Sequence, residues 1–504
     1  MYPLYSKEYK SDIPREEKIT MGKMRRMTII LISCLLIVVM AGCSGNNSEG
    51  ASSGTGAQNL QGTQTNAPAK PEQSTAMPAP DPNKQSTIVF TTFKNDPYIQ
   101  DAKKAYEKKH PNTKIDLRYT INNGSEDVSG VKQEKFQSTL IADFLNGKGP
   151  DMIVMDNLPS SKYVGKGLLA DVGRMMSGDP AFHKEQYFQN ILDNLKESDG
   201  GLYTVPLSFS LSAWMGDQEA LEKSGVKFDD KTWTWNQFID TGKALSRLGG
   251  NQYALVTKAP QVLLFDMVST SYPLLMDRVN RKAHFDSDFF IQMLEQIKTM
   301  EAEKVVSYVS NLSESKAYFT ETELLTPYHY FLYTANMKEN GGNKPKFYEK
   351  PKAEGQQSGG YFSPLTNIAI NSKSSLQPEA WDFLKFLMSG EASAASSWGP
   401  KDLTYEGQGY NGTFPISRTV YEVKTKKLLK AGEVPTVTNN GTIRVTKENL
   451  QELESILLQA NKPIAQIDIG VSLFKESPAF FSGQKSAQAV AKIFQNKATT
   501  YLNE

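Results

Sequence analysis

Cysteine is nearly missing: in 504 residues there are two, Cys34 and Cys43. Everything beyond residue 43 therefore lacks a disulfide, a thiolate zinc site and a cysteine nucleophile. Histidine is almost as scarce, and His110, His183, His284 and His329 show no metal-ligand spacing. An excess of basic charge is also lacking, since 56 Lys and Arg stand against 55 Asp and Glu. That balance argues against a nucleic-acid partner held by a basic surface. No G-x-S-x-G, H-E-x-x-H, phosphate-cradling G-x-x-x-x-G-K or dinucleotide fingerprint occurs. No catalytic residue, resident metal or cofactor is expected. A glycosidase carboxylate pair has no fixed sequence spacing, so a surface carbohydrate-active enzyme stays open as an alternative.

Long apolar runs are also few, and the most telling one is Met27 to Gly42, sixteen residues without a charge behind Lys23, Arg25 and Arg26. A basic patch, an apolar core and small residues before a break are the layout of an export signal. The run is short for a membrane-spanning helix, which needs about 20 residues. Met40-Ala41-Gly42-Cys43 resembles a bacterial lipobox, with Met40 where Leu is usual. That resemblance implies an acylated Cys43 as the mature N-terminus, on the outer face of a bacterial cell membrane. Residues 1–20 precede the signal, so translation is expected to start at Met1, Met21 or Met24. Without residues 1–42 the chain keeps 49 basic and 51 acidic side chains, close to neutral.

Ser44 to Gln85 has Leu60 as its sole large aliphatic residue and is otherwise rich in Gly, Ser, Thr, Asn, Gln and Pro. Such a composition cannot bury enough surface to offset its ordering entropy. It reads as a disordered tether, with a root-mean-square span of roughly 35 Å.

From Ser86 to Glu504 the chain is long enough for two lobes with cores. "STIVFTTF" reads as a buried strand, and Asp96-Pro97 starts a helix that His110-Pro111 stops. "TKIDLRY" and "DMIVMD" read as further strands, and "GGLYTVPLSFSLSAW" as an arm running into a long one. Thr234 and Gln237 form a capping-box pattern, and Ser287 caps a later helix. "AWDFLKFL" and "AQAVAKIFQ" are amphipathic helices. Strands alternating with helices predict α/β layers with parallel sheets.

Several of these segments, in this order, are familiar. "GKGPDMIVMDNLPSSKYVGKGLLADV", "GGLYTVPLSFSLSAWMGDQEALEKSGV", "TWTWNQF", "GGYFSPLTNIAI", "QPEAWDFLKFLMSGEASA" and "SGQKSAQAVAKIFQNKATTYL" resemble stretches of the extracellular solute-binding proteins of family 1. Those are the sugar-binding lipoproteins of ABC importers, and the resemblance spans essentially all of 86–504. Two stretches depart from it. Met215-Gly216-Asp217-Gln218 stands where Tyr-Tyr-Asn-Lys is common, and "SESKAYFTETELLTPYHYFLYTANM" lacks the usual Gly-Lys-Ala-Ala-Met pattern.

The resemblance implies an α/β, two-lobed periplasmic-binding-protein-like fold of type II, with discontinuous lobes joined by a hinge around a ligand cleft. Lobe 1 would comprise 86–206 plus 363–412, and lobe 2 would comprise 207–362 plus 413–504. It implies capture of an extracellular carbohydrate, an oligosaccharide in our reading, and its delivery by a monomer to ABC permease subunits. A ligand-sensing or structural surface lipoprotein is the other alternative. Sugar sites need aromatic planes and polar forks. The candidates are Phe93 and Asn95 after the first strand, Asp156 and Asn157 after the third, and Phe209, Ser210 and Trp214 on the crossing strand. Tyr361 and Phe362 on the return strand and Trp398 complete the set. Trp235 and Trp381 read as core, and Phe93 and Phe209 also suit a core.

Overall fold

In the computed structural model the described residues are 79–503, apart from 123–129, 157, 250–251, 279, 310–315, 340, 343, 397–412, 436–440 and 468. Cys43, Asn157 and Trp398 lie outside them.

Eleven strands form one sheet. They are β1 (Ser86–Lys94), β2 (Thr113–Ile121), β3 (Met152–Val154), β4 (Val205–Asp217), β5 (Tyr253–Thr257), β6 (Val306–Tyr308), β7 (Ala317–Leu324), β8 (Pro345–Tyr348), β9 (Gly360–Ile370), β10 (Phe414–Pro415) and β11 (Ala460–Pro463). The main path runs β2-β1-β3-β9-β4-β7-β5-β6, with β8 and β10 on β4 and β11 on β9. Strands at both ends of the path are parallel (β1 with β2 and β3; β5 with β6 and β7). The two long strands in the middle, β4 and β9, run antiparallel to each other, and so do β3 with β9 and β4 with β7. The parallel units expected from strand–helix alternation are therefore present, joined by an antiparallel centre.

Local chemistry explains the elements. Asp96 accepts from the N–H groups of Tyr98 (2.8 Å) and Ile99 (3.3 Å), with Pro97 opening helix α1 (Pro97–Lys109). Both reciprocal bonds of the Thr234–Gln237 capping box start α2 (Trp235–Ser246). Pro260 opens α3 (Pro260–Leu275) after β5, and Ser287 caps the helix Asp288–Ala302. A satisfied cap of this type contributes about 1 kcal/mol.

The apolar interior separates into two large clusters. One gathers Ile88, Phe90, Tyr98 and Ile115 with Leu207, Phe209, Leu211, Trp381 and Phe383. The other gathers Trp214, Trp233, Trp235, Phe238, Leu255, Phe319 and Phe494. Trp235 and Trp381 are buried, as the sequence suggests. Phe414, Tyr421, Leu428, Leu453 and Leu457 join the first cluster. Phe414 and Pro415 of β10 pair with Phe209 and Ser208 of β4.

Candidate functional site

The site starts from the alternation in β4. Successive side chains of a strand point to opposite faces. Leu207, Phe209, Leu211, Ala213 and Met215 all enter the first apolar cluster. On the other face stand Ser208, Ser210 and Ser212, followed by Trp214, which enters the second cluster. The three serines thus form a polar interval between two apolar cores.

Neighbouring strands extend that interval, because directly paired residues share a face. Ser208, Ser210 and Ser212 pair with Leu365, Ser363 and Tyr361 of β9. Across β7, Ser212 pairs with Glu323 and Trp214 with Glu321. Thr257 ends β5 opposite Tyr308 of β6. Ser210 donates to Glu323 Oε1 (2.9 Å), and Thr257 Oγ1 donates to Glu321 Oε2 (3.2 Å). From α3, Asp266 pairs through Oδ1 with the ammonium of buried Lys350 at 2.5 Å. The result is a row of hydroxyls and carboxylates at the C-terminal ends of parallel β5 and β6, the usual place for ligands in open α/β sheets.

Electrostatics there is uneven. Burial, followed by the charge of Asp266, pushes the Glu321 carboxyl up to about 7, although Lys350 and the Thr257 hydroxyl favour its ionised form. Lys350 is held above the usual lysine range against its burial, by Asp266 first and then Glu321. At the β3 end, Asp156 accepts from Thr366 N (2.9 Å), Asn367 N (2.8 Å) and Asn367 Nδ2 (2.8 Å). Burial raises the Asp156 carboxyl even so.

The sequence candidates do not all come together. Ser210 and Asp156 lie on the polar seam, although Asp156 clamps β9 and does not cap the helix after Pro159. Asn95 is partly exposed; its Nδ2 donates to Asn122 Oδ1 (3.0 Å) and its Oδ1 accepts from Gln100 Nε2 (3.1 Å). Tyr361 is buried, its hydroxyl 3.3 Å from Gln356 Oε1 and its ring 5.7 Å from the Lys462 ammonium. It lines a small cavity of about 40 Å³ with Ser212, Lys231, Glu349, Gly360 and Gln459. Gly359, at φ 132°, brings the chain close to Asn461 of β11, where a Cβ would lie 2.0 Å from its side-chain oxygen. The Gly-Gly pair thus serves strand packing.

Phe93, Phe209, Trp214 and Phe362 are packed as core, and this corrects the expectation for their rings. Phe93 leans on Phe136 at 5.3 Å. Phe209 meets Phe188, Phe362 and Phe414, and Trp214 meets Trp233, Trp235, Phe238 and Phe319. These four side chains are at most 4% exposed, which leaves no ring face for a sugar. The sequence reading missed Thr257, Asp266, Tyr308, Glu321, Glu323 and Lys350. The signal for two of them was "FTETEL", whose period-two pattern places Glu321 and Glu323 on one face.

A family comparison now decides the lineage: the bacterial extracellular solute-binding protein model matches residues 91–394. The chain belongs to that family. A curated relative, the arabinooligosaccharide-binding protein of Bacillus subtilis, is 22% identical over 291 residues. The match spans 56% of this chain and 56% of the relative, so just over half of that relative's length is covered. Among solved structures, a family 1 extracellular solute-binding protein from Alicyclobacillus acidocaldarius superposes with a TM-score of 0.53 at 19% identity. It covers 84% of this chain and 100% of its own. A periplasmic oligogalacturonide-binding protein from Yersinia enterocolitica gives 0.53 at 17%, covering 83% and 99%. The fold is the two-lobed α/β fold of these binding proteins. Among the described residues no group of three or more His, Cys, Asp or Glu is placed to hold a metal, and no helix is long and apolar enough to cross a membrane.

Proposed function

We propose that this protein captures an extracellular carbohydrate, an oligosaccharide, between its lobes and hands it to the permease of an ABC importer. The observation that carries the reading is the polar interval of β4 and β9, with Ser208, Ser210, Ser212 and Ser363 flanked by Glu321 and Glu323. A sugar is recognised by hydroxyl and carboxylate forks beside apolar surface, and this seam supplies them between two apolar cores. Family membership and the arabinooligosaccharide-binding relative support the same ligand class. Binding without bond cleavage is the proposed activity.

The lobes would be those inferred from the sequence, with β10 laid against β4, where Phe414 and Pro415 pair with Phe209 and Ser208. A ligand touching both lobes stabilises the closed form by its difference in affinity for the two states. Asp156 and Asn95 remain the proposed contacts from the sequence set; Tyr361 and Ser210 are as buried as the four core rings, and Ser210 acts by orienting Glu323 through its hydroxyl. Acylation of Cys43 would hold the monomer on the outer face of the cell membrane, with 44–85 as a tether. In the native host, Cys43→Ala should move the protein out of the detergent phase.

The test is a thermal-shift screen of the purified full chain against mono- and oligosaccharides. A ligand at a hundred times its dissociation constant adds about 2.7 kcal/mol of stability. A shift with at least one oligosaccharide, without release of new reducing ends, is the expected result. No shift with any carbohydrate contradicts the proposal, and new reducing ends would move the protein to the glycosidases.

A further inference from the structure

The second wall of the polar seam holds three carboxylates, Asp266, Glu321 and the exposed Glu323, beside one buried ammonium, Lys350. Glu321 Oε1 and Asp266 Oδ2 are both shielded from solvent and have no hydrogen-bond partner. The Tyr308 hydroxyl, in the same cross-sheet row as Thr257 and Glu321, is buried and unpartnered as well. The other oxygen of each carboxylate is engaged, Glu321 Oε2 by Thr257 and Asp266 Oδ1 by Lys350. Lys350 is the buried ammonium of this cluster and is committed to Asp266. Lys258, directly after β5, is exposed and favours the Glu321 carboxylate only weakly. Glu323, its Oε1 taken by Ser210, adds a further carboxylate to the same face.

Buried acceptors without donors are costly, and buried charge without a counter-charge more so. A sugar hydroxyl would supply a donor and leave the charge. A uronate would add a like charge. A protonated amine supplies donors to both orphan oxygens and the missing positive charge at once. Resting on the carbohydrate reading above, we infer that the ligand presents a protonated amino group to Asp266 and Glu321, and is therefore an amino-sugar oligosaccharide. Tyr308 then meets a hydroxyl next to the amine.

The experiment is isothermal titration of the full chain with tetrasaccharide series matched in linkage: glucosamine, N-acetylglucosamine, glucose and uronic acid. The glucosamine member should bind roughly tenfold or more tightly than its N-acetyl and glucose counterparts, and the uronate weakest. Glu321→Gln, which keeps the shape, should erase the amine preference while circular dichroism and the ligand-free melting curve show an intact fold. Equal or tighter binding of a neutral or acidic member overturns the inference and leaves the carbohydrate function standing. So does an amine preference that survives in Glu321→Gln. Binding by no member of any series removes both.

Discussion

The two faces of β4 share a backbone and differ in almost everything else. The odd-numbered face, Leu207 to Met215, is continuous with the cluster around Ile88 and Trp381. The even-numbered face holds Ser208, Ser210 and Ser212, where hydroxyls meet Glu323, Ser363 and Tyr361. One face contributes folding free energy by burying apolar area at about 25 cal/mol per Å². The other buries polar atoms, some without partners, and sits where a binding protein needs them. The lesson is that the crossing strand divides its chemistry by parity: continuous apolar packing on one side, a run of hydroxyls on the other.

Removing a ring from the apolar face should have the largest effect. Phe209→Ala should cost about 3–5 kcal/mol of unfolding free energy, because the ring is wholly buried among Phe188, Phe362 and Phe414. Chemical denaturation measures it, and a loss below about 1 kcal/mol would undo the assignment of this face to the core.

Acid should separate the faces next. His329, in the helix Pro327–Glu339 against the first cluster, is pushed down to about 4 by burial, with Thr326 Oγ1 3.0 Å from its Nδ1. Its unfolded value is about 6.5. The unfolded chain therefore binds more protons in that window, and stability is lost as pH falls from about 6.5 towards 4. Glu321 has the opposite sign. Its folded value of about 7 exceeds the ordinary carboxylate range, so the folded chain binds more protons, and the contribution is lost as pH rises through about 7. Melting curves of His329→Phe should be flatter than wild type between pH 4 and 6.5. Those of Glu321→Gln should gain more at pH 8 than at pH 5. A uniform shift at all pH values in either variant contradicts the corresponding assignment.

The smallest effect belongs to Ser208→Ala. The Ser208 hydroxyl is buried without a partner, so its removal should be neutral or stabilising, within about 1 kcal/mol. A clear loss of stability would show that this hydroxyl carries a structural bond.

Much of the architecture was readable from the sequence because local rules and global fold agree. Asp96-Pro97, the Thr234–Gln237 box and Ser287 are caps that act within one turn, so a short window suffices to find them. The site was only half readable. The alternation Leu-Ser-Phe-Ser-Leu-Ser marks a two-faced strand, yet it does not say how each face is used: Phe209 and Phe362 lie on the apolar face, and Trp214, on the serine face, is packed into the second core. Asp266 and Lys350 meet at 2.5 Å across 84 positions of sequence, a pairing no local pattern encodes. Phe414 illustrates the same limit, since its place in the first cluster depends on β10 reaching β4.

The central claim is that the even-numbered face of β4 meets the ligand. The most direct test is to fill it: Ser212 is partly exposed there, beside Tyr361 and Glu323. Ser212→Leu, titrated with the oligosaccharide that stabilises the wild type, should lose affinity by roughly tenfold or more. Its ligand-free melting temperature should stay within about 3 °C, the shift of less than 1 kcal/mol in a domain of this size. Wild-type affinity in a variant with an unchanged melting curve would contradict the claim.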